Sequence, residues 1–408
     1  MVLKHYLKYF GICLIFYLFL FIGFFLFTNI KGNLNLFSQN SLLQFDAVLY
    51  QKIKNNGYQE NWLCAFFPAF PFLWKLLNVS ILGISVFNSL IFCVSVSAIA
   101  YLFKLNLVQQ LFFLSIPSLI FMFVPYSEAL FYFSSTLLII GLNKNKTLLI
   151  IIGLLLCSLI RPTTFIFIPA ILGTFYFSQK SIKQTFIKSS LPVLILIIGL
   201  LITVSVHFYY TNKWFVFFEA QKLWANYLHF PKLPFTSWGG DPIVRYDGSV
   251  LAISIACIIY CFKLLKLKVK KELIKNQDLI FSLLYISGTS LLILAYRDGN
   301  LYSLNRFIFA TPFLIISCCY FFSCYEFKLK HVWFVLISSE LFWLFFNSYN
   351  HIHNFLLFST ISIYFILMLF TKHANKLIAN VSIISLIIFN SYGFIKLFNR
   401  FINNNWVG

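Results

Sequence analysis

Acidic residues are scarce in this chain, eleven among 408, and two of them, Asp46 and Glu60, fall within one stretch, SLLQFDAVLYQKIKNNGYQENWLCAFFPAFP (41–71). A carboxylate kept between long apolar runs is costly, and a functional role is the first reading of it. The segment FDAVLYQKIKNNGY carries Phe45, Val48, Leu49 and Ile53 at helical spacing. It is expected to lie as a helix along a membrane surface with Asp46 near its start. There Asp46 could take a proton from a hydroxyl, or it could simply cap the helix. Glu128, in PYSEALF (125–131), follows a proline turn and opens the next apolar run. It is a second candidate base or acid, the bland alternative being a first-turn acid favoured by the helix dipole.

The candidate cations are Arg161, in LIRPTTF (159–165), and Arg306, in AYRDGNLYSLNRFIF (295–309). A guanidinium offers a planar fork that matches a phosphate bidentately. Arg161 could hold a donor phosphate, pair with Glu128 or snorkel; Arg306 is the second phosphate candidate, and Arg297 with Asp298 reads as a surface pair. The stretch FFEAQKLWANYLHF (217–230) offers Glu219, Gln221, Trp224 and Asn226. Amides and indoles of this kind suit sugar hydroxyls and ring faces, although aromatic residues also populate any membrane interface. Glu60, Gln221, Trp224 and Asn305 are therefore the expected sugar or acceptor contacts. His207, His229, His351 and His353 form no metal spacing, and there is no phosphate-cradling glycine loop, nucleophile elbow or HExxH motif. Neither metal nor cofactor is expected.

These residues must be positioned by apolar elements, because 60% of the chain is hydrophobic, 20% aromatic and only 10% charged. That composition excludes a soluble enzyme and implies an all-α polytopic membrane protein read as a single domain over 1–408. Thirteen spans are expected, at 9–27, 82–103, 107–125, 128–142, 146–160, 164–178, 190–209, 248–265, 279–296, 306–325, 332–346, 354–371 and 377–396. The first is read as a retained helix, since no small-residue cleavage site follows it. Lysines such as Lys104, Lys144, Lys180 and Lys268 crowd the loops on the amino-terminal side, which the positive-inside rule makes cytoplasmic. The net charge of +20 is thus a topological signal, and no nucleic-acid partner is expected. All five arginines (Arg161, Arg245, Arg297, Arg306 and Arg400) fall on the other side. The short spans 128–142, 146–160 and 164–178 meet that side at polar motifs, as helices lining an external cavity do.

Phe45-Asp46-Ala47, Tyr50, Gly57-Tyr58 and AFFPAFP (65–71) together resemble the first-loop signature of the PIG-V-type mannosyltransferases, the GPI mannosyltransferase 2 family and its bacterial relatives. Tyr126 to Phe131 resembles that family's YTESLF, Arg161-Pro162 its basic turn, and Gln221 with Trp224 its Q-x-x-W element. The likeness runs from about residue 40 to about 230; beyond it only the topology is similar. Phe45 stands where eukaryotic members often carry tryptophan, and Ser127 where they carry threonine. The resemblance implies a GT-C-like bundle of about thirteen helices, with interfacial helices in the first loop. It also implies a hexosyltransferase, mannose being the expected sugar, that uses a polyprenyl-phosphate donor and a glycan or glycolipid acceptor. Asp46 matches the family's first-loop aspartate. The compact loops favour a bacterial inner membrane with a periplasmic site over a lumenal site in the endoplasmic reticulum. The rival reading is a transporter or flippase of an anionic or lipid-linked substrate. Convergence of Asp46, Glu128 and Arg161 on one cavity is what the enzyme reading requires.

Overall fold

The structure, a computed structural model, describes residues 2–30, 39–324 and 376–408, with 337, 341–342 and 344–346 between them. These residues are all-helical apart from loops, with β-type pairing among them only at the isolated bridges Phe235 to Phe346 and Thr236 to Asn300. Among the described residues, five helices are long and apolar enough to cross a membrane: α1 (Val2–Ile30), α4 (Ile81–Leu102), α9 (Ile182–Thr211), α11 (Asp241–Val269) and α12 (Gln277–Tyr296). The hydrocarbon layer needs about 20 helical residues. α7 (Thr147–Ile160) and α8 (Thr164–Ser178) have 14 and 15 residues and fall short of that length. The expected span 354–371 and most of 332–346 lie outside the described residues.

Two expected spans are not single helices, and in both a proline is the reason. The run 107–125 gives α5 (Leu107–Leu114), capped by Asn106 with Gln109 in a reciprocal box, and then a 3-10 turn over Pro117–Met122. Pro117 has no N–H to continue the ladder, and its ring excludes the preceding carbonyl. The run 306–325 divides at Thr311-Pro312 into α13 (Leu304–Phe309) and α14 (Pro312–Cys324). The irregular stretch from Ser115 to Ser127 is wholly buried. Its backbone is served from neighbouring helices: Asn88 Nδ2 donates to the carbonyls of Val124 and Tyr126 at 2.8 and 2.9 Å.

The closest helix pair is the hairpin of α6 (Glu128–Lys144) and α7. Asn145 takes the left-handed conformation (φ 51°) that ends α6, and Gly141 and Gly153 let the two backbones meet. A methyl group at Gly153 would stand 2.6 Å from the backbone nitrogen of Leu138. Because the pair is antiparallel and joined by a tight turn, the start of α6 and the end of α7 share one end of the bundle. Glu128 and Arg161 are the residues at those ends.

At the same end lie the two longer loop segments. α2 (Asp46–Asn56) and the 3-10 turn Asn61–Ala65 pack on α10 (Val216–Leu223) through Ile53, Tyr58, Leu63, Cys64, Val216 and Ala220. The buried face of α2 is Ala47, Tyr50 and Ile53, one step round the helix from the apolar face expected at Val48 and Leu49. α3 (Ala69–Leu77) closes this layer, with Phe70 and Trp74 buried against Tyr50. Residues 229–236 run beside 295–301, where Gly299 (φ 83°) is required. A side chain there would meet the Lys232 carbonyl.

Candidate functional site

Four sequence candidates meet in one cluster. The Glu128 Oε1 atom is in contact with both Arg161 Nη2 and Arg306 Nε, and Arg306 Nη2 reaches Asp46 Oδ2 at 2.6 Å. Each member arrives by a local rule. Arg161 precedes Pro162 and is extended (φ −148°, ψ 157°), as the residue before a proline must be, so its side chain leaves α7 at the helix end. Asp46 does not cap α2: Phe45 occupies the cap position and no side chain bonds the first turn. Phe45 holds a left-handed backbone (φ 49°, ψ −119°) and packs on Phe401 and Trp406, with ring centres at 6.1 and 5.1 Å. That strained step turns the Asp46 carboxylate to Arg306 instead of to the helix backbone.

Arg306 is aimed by a second buried carboxylate. Asp247, on α11, accepts from the backbone N–H and the Nδ2 of Asn305 at 2.8 and 2.7 Å, while Ser237 Oγ donates to its other oxygen at 2.5 Å. Ser118 Oγ donates to Asn305 Oδ1 at 2.9 Å, so both polar atoms of the buried Asn305 side chain are engaged. Tyr50 Oη donates to Ser127 Oγ at 2.9 Å, and Arg161 Nε reaches the same oxygen at 3.4 Å. Burial, reinforced by Glu128 and Asp46, raises the Tyr50 phenol above its ordinary value and keeps it a neutral donor. For Arg306, burial opposes the charged form, but Glu128 and Asp46 outweigh it, and the pKa rises.

The cluster borders a cavity of about 570 Å³ lined by Asp46, Tyr50, Arg161, Arg306, Gln221 and Trp224 among others. Glu128 is fully buried behind it, whereas the Asp46 side chain is 13% exposed. Trp224 Nε1 donates to the Trp62 carbonyl at 3.2 Å, which seats α10 on the first loop. Phe307 lies 5.3 to 5.7 Å from the guanidinium carbons of Arg161, Arg306 and Arg297, so one ring faces three cations.

Two expected contacts fall elsewhere. Glu60 is exposed and accepts from its neighbour Trp62, and Asn305 is a spacer between Asp247 and the cluster. Neither lines the cavity. Arg297 and Asp298 are not a pair: Asp298 binds Lys232 at 2.8 Å, and Arg297 lines the cavity. The charge count of a short segment cannot reveal that split, because it goes with a left-handed backbone at Asp298 (φ 49°). Asp247 and Trp406 were also missed as parts of the site. Their partners lie dozens to hundreds of residues away, and the scarcity of acids was the one available signal for Asp247. No family model, curated protein or solved structure matches the chain.

Proposed function

We propose that this cavity is the active site of a membrane glycosyltransferase that moves a hexose, mannose first, from a polyprenyl phosphate to an acceptor hydroxyl by a single inverting displacement. The observation that carries the reading is the convergence of Asp46, Glu128, Arg161 and Arg306 at the edge of one cavity. The other walls support it. Gln221, Asn226 and Trp224 provide amides and an indole on one side, while Phe165, Ile166, Phe217, Leu292 and Ile293 provide an apolar surface suited to an isoprenoid chain.

The roles divide by exposure. Asp46 borders the cavity and has one cationic partner, so it is the base that takes the acceptor proton. The acceptor oxygen forms its bond to the anomeric carbon as the bond to phosphate breaks, and the phosphate departs with the electron pair. Arg161 and Arg306 stabilise that growing charge, and Arg161 Nη1 has no hydrogen-bond partner among the described residues. Glu128 is the counter-ion that holds both guanidiniums at the cavity edge. The expected setting is a bacterial inner membrane with the cavity on the periplasmic side. A single domain without metal or cofactor would suffice.

The test is transfer of radiolabelled hexose from a polyprenyl-phosphate donor by the purified chain. Asp46→Asn is nearly isosteric and should lower the rate by about 10² to 10⁴. Full transfer by Asp46→Asn would remove Asp46 as the base. No transfer by the parent chain, with donor still carried between leaflets of a vesicle, would favour the lipid transporter.

A further inference from the structure

Two cations that line the cavity, Lys222 and Arg297, have no carboxylate within ion-pair distance among the described residues, and because Lys222 is exposed, Arg297 is the one set into the wall. Arg161 and Arg306 are matched by Glu128 and Asp46. Arg297, in the turn that follows α12, also lines the cavity. Among the described residues no carboxylate lies within ion-pair distance of it, because its neighbour Asp298 is taken by Lys232 at 2.8 Å. Asp247 and Asp46 act on it only from farther off, and Arg306 repels it.

Arg297 is nevertheless held in place. Its Nη1 donates to the Tyr302 carbonyl, and its guanidinium carbon lies 3.7 Å from the centre of the Tyr302 ring. Tyr302 in turn stacks on Trp238 at 4.1 Å with the rings 6° from parallel. The Tyr302 hydroxyl donates to Asn226 Oδ1 at 3.0 Å, and Asn226 Nδ2 donates to Gln221 Oε1 at 2.8 Å. A cation, two stacked rings and two amides therefore form one braced wall. The same helix end supplies Leu292, Ile293 and Tyr296 to the apolar lining, so a charged group and a greasy surface adjoin along α12.

A cation fixed in a partly desolvated wall, with no anion of its own, is built to meet an anion from outside. The adjoining apolar surface makes that anion the head of an amphiphile. We infer that Arg297 is the headgroup anchor of the cavity, engaging the phosphate of a bound polyprenyl monophosphate while the Arg161 and Arg306 pair stays with its carboxylates in the resting site. This rests on the proposed donor class but not on the occurrence of transfer.

The test is binding of a polyprenyl monophosphate and of the matching uncharged polyprenol to the full chain in detergent, at low salt. The parent is expected to prefer the phosphate. Arg297→Gln should weaken phosphate binding at least tenfold and leave polyprenol binding unchanged, Arg297→Lys should recover part of the loss, and Lys213→Gln, at an exposed lysine that pairs with Glu219 away from the cavity, should match the parent. Inorganic phosphate as competitor separates a free anion from a lipid-borne one. Competition at equal concentration that Arg297→Gln abolishes supports the anchor and removes the lipid from it. Unchanged preference in Arg297→Gln, or a parent that does not distinguish phosphate from polyprenol, overturns the inference. Phosphate preference that depends on Arg297, in a chain that transfers no sugar, sinks the transferase and leaves the anchor standing.

Discussion

Glu128 carries two guanidiniums on one oxygen at a point without solvent, and that decides what its removal does. Breaking a buried pair from one side leaves the other charge uncompensated at a cost of about 3–5 kcal/mol. Glu128→Gln is therefore expected to lower the melting temperature of the detergent-solubilised chain sharply. Asp46→Asn, whose side chain retains 13% exposure and whose partner Arg306 keeps Glu128, should shift it far less. Thermal melts of the two variants check this, and equal shifts would mean that Glu128 is not the structural counter-ion. Much of the cluster was legible in the sequence, since acids and arginines are so rare here that each one next to a proline or a helix start stood out. The pairing of Arg161 with Glu128 was one of the alternatives left open. What could not be read was which carboxylate faces the cavity, because burial depends on packing by Tyr50, Phe131 and Phe307. The split of Arg297 from Asp298 was equally hidden, since it goes with a left-handed backbone at Asp298 (φ 49°), a conformation uncommon outside glycine.

At the level of elements, short helices position the site, and prolines set their ends. Arg161-Pro162 and the start of α6 after Pro125 follow directly from the residues; Pro117 and Pro312 acted just as locally but inside apolar runs, where hydropathy alone reads straight through them. α13 shows what sequence cannot supply. Six residues do not hold a helix by themselves, and this one is tied at its first turn by Asp247 across 58 positions. Replacing Asp247 by Asn weakens the acceptor that takes both Asn305 bonds and turns an amide NH2 toward the Ser237 hydroxyl, which donates to the other carboxylate oxygen. The expected outcome is a loss of about 1–3 kcal/mol, together with a fall in transfer, since Arg306 follows Asn305 directly. Asn305→Asp should be worse, because it sets two carboxylates against each other. Melting and transfer measured on both variants test the tether, and an Asp247→Asn chain as stable as the parent would break it.

Across the whole molecule, the first and second loop segments are packed on each other through Tyr58, Leu63, Val216 and Ala220, so they must share one side of any membrane the bundle crosses. From the lysine asymmetry we propose that this side is non-cytoplasmic. Lys232 and Glu60 are exposed, one in each segment, and suit labelling. Glu60→Cys and Lys232→Cys are expected to react with a membrane-impermeant maleimide added to intact cells. Native Cys64, buried in the same layer with its thiol pushed up to about 12 by desolvation, should stay silent until the chain is denatured. Exposed sites that react only after the inner face is opened would invert the topology and put the cavity in the cytoplasm, where the Arg297 wall would meet a different pool of lipid phosphate. Reaction of one site from each side would contradict the packing of Trp224 on the Trp62 carbonyl. Labelling of both from outside, with Cys64 protected, would leave the cavity opening toward the leaflet from which the proposed lipid-linked donor would enter.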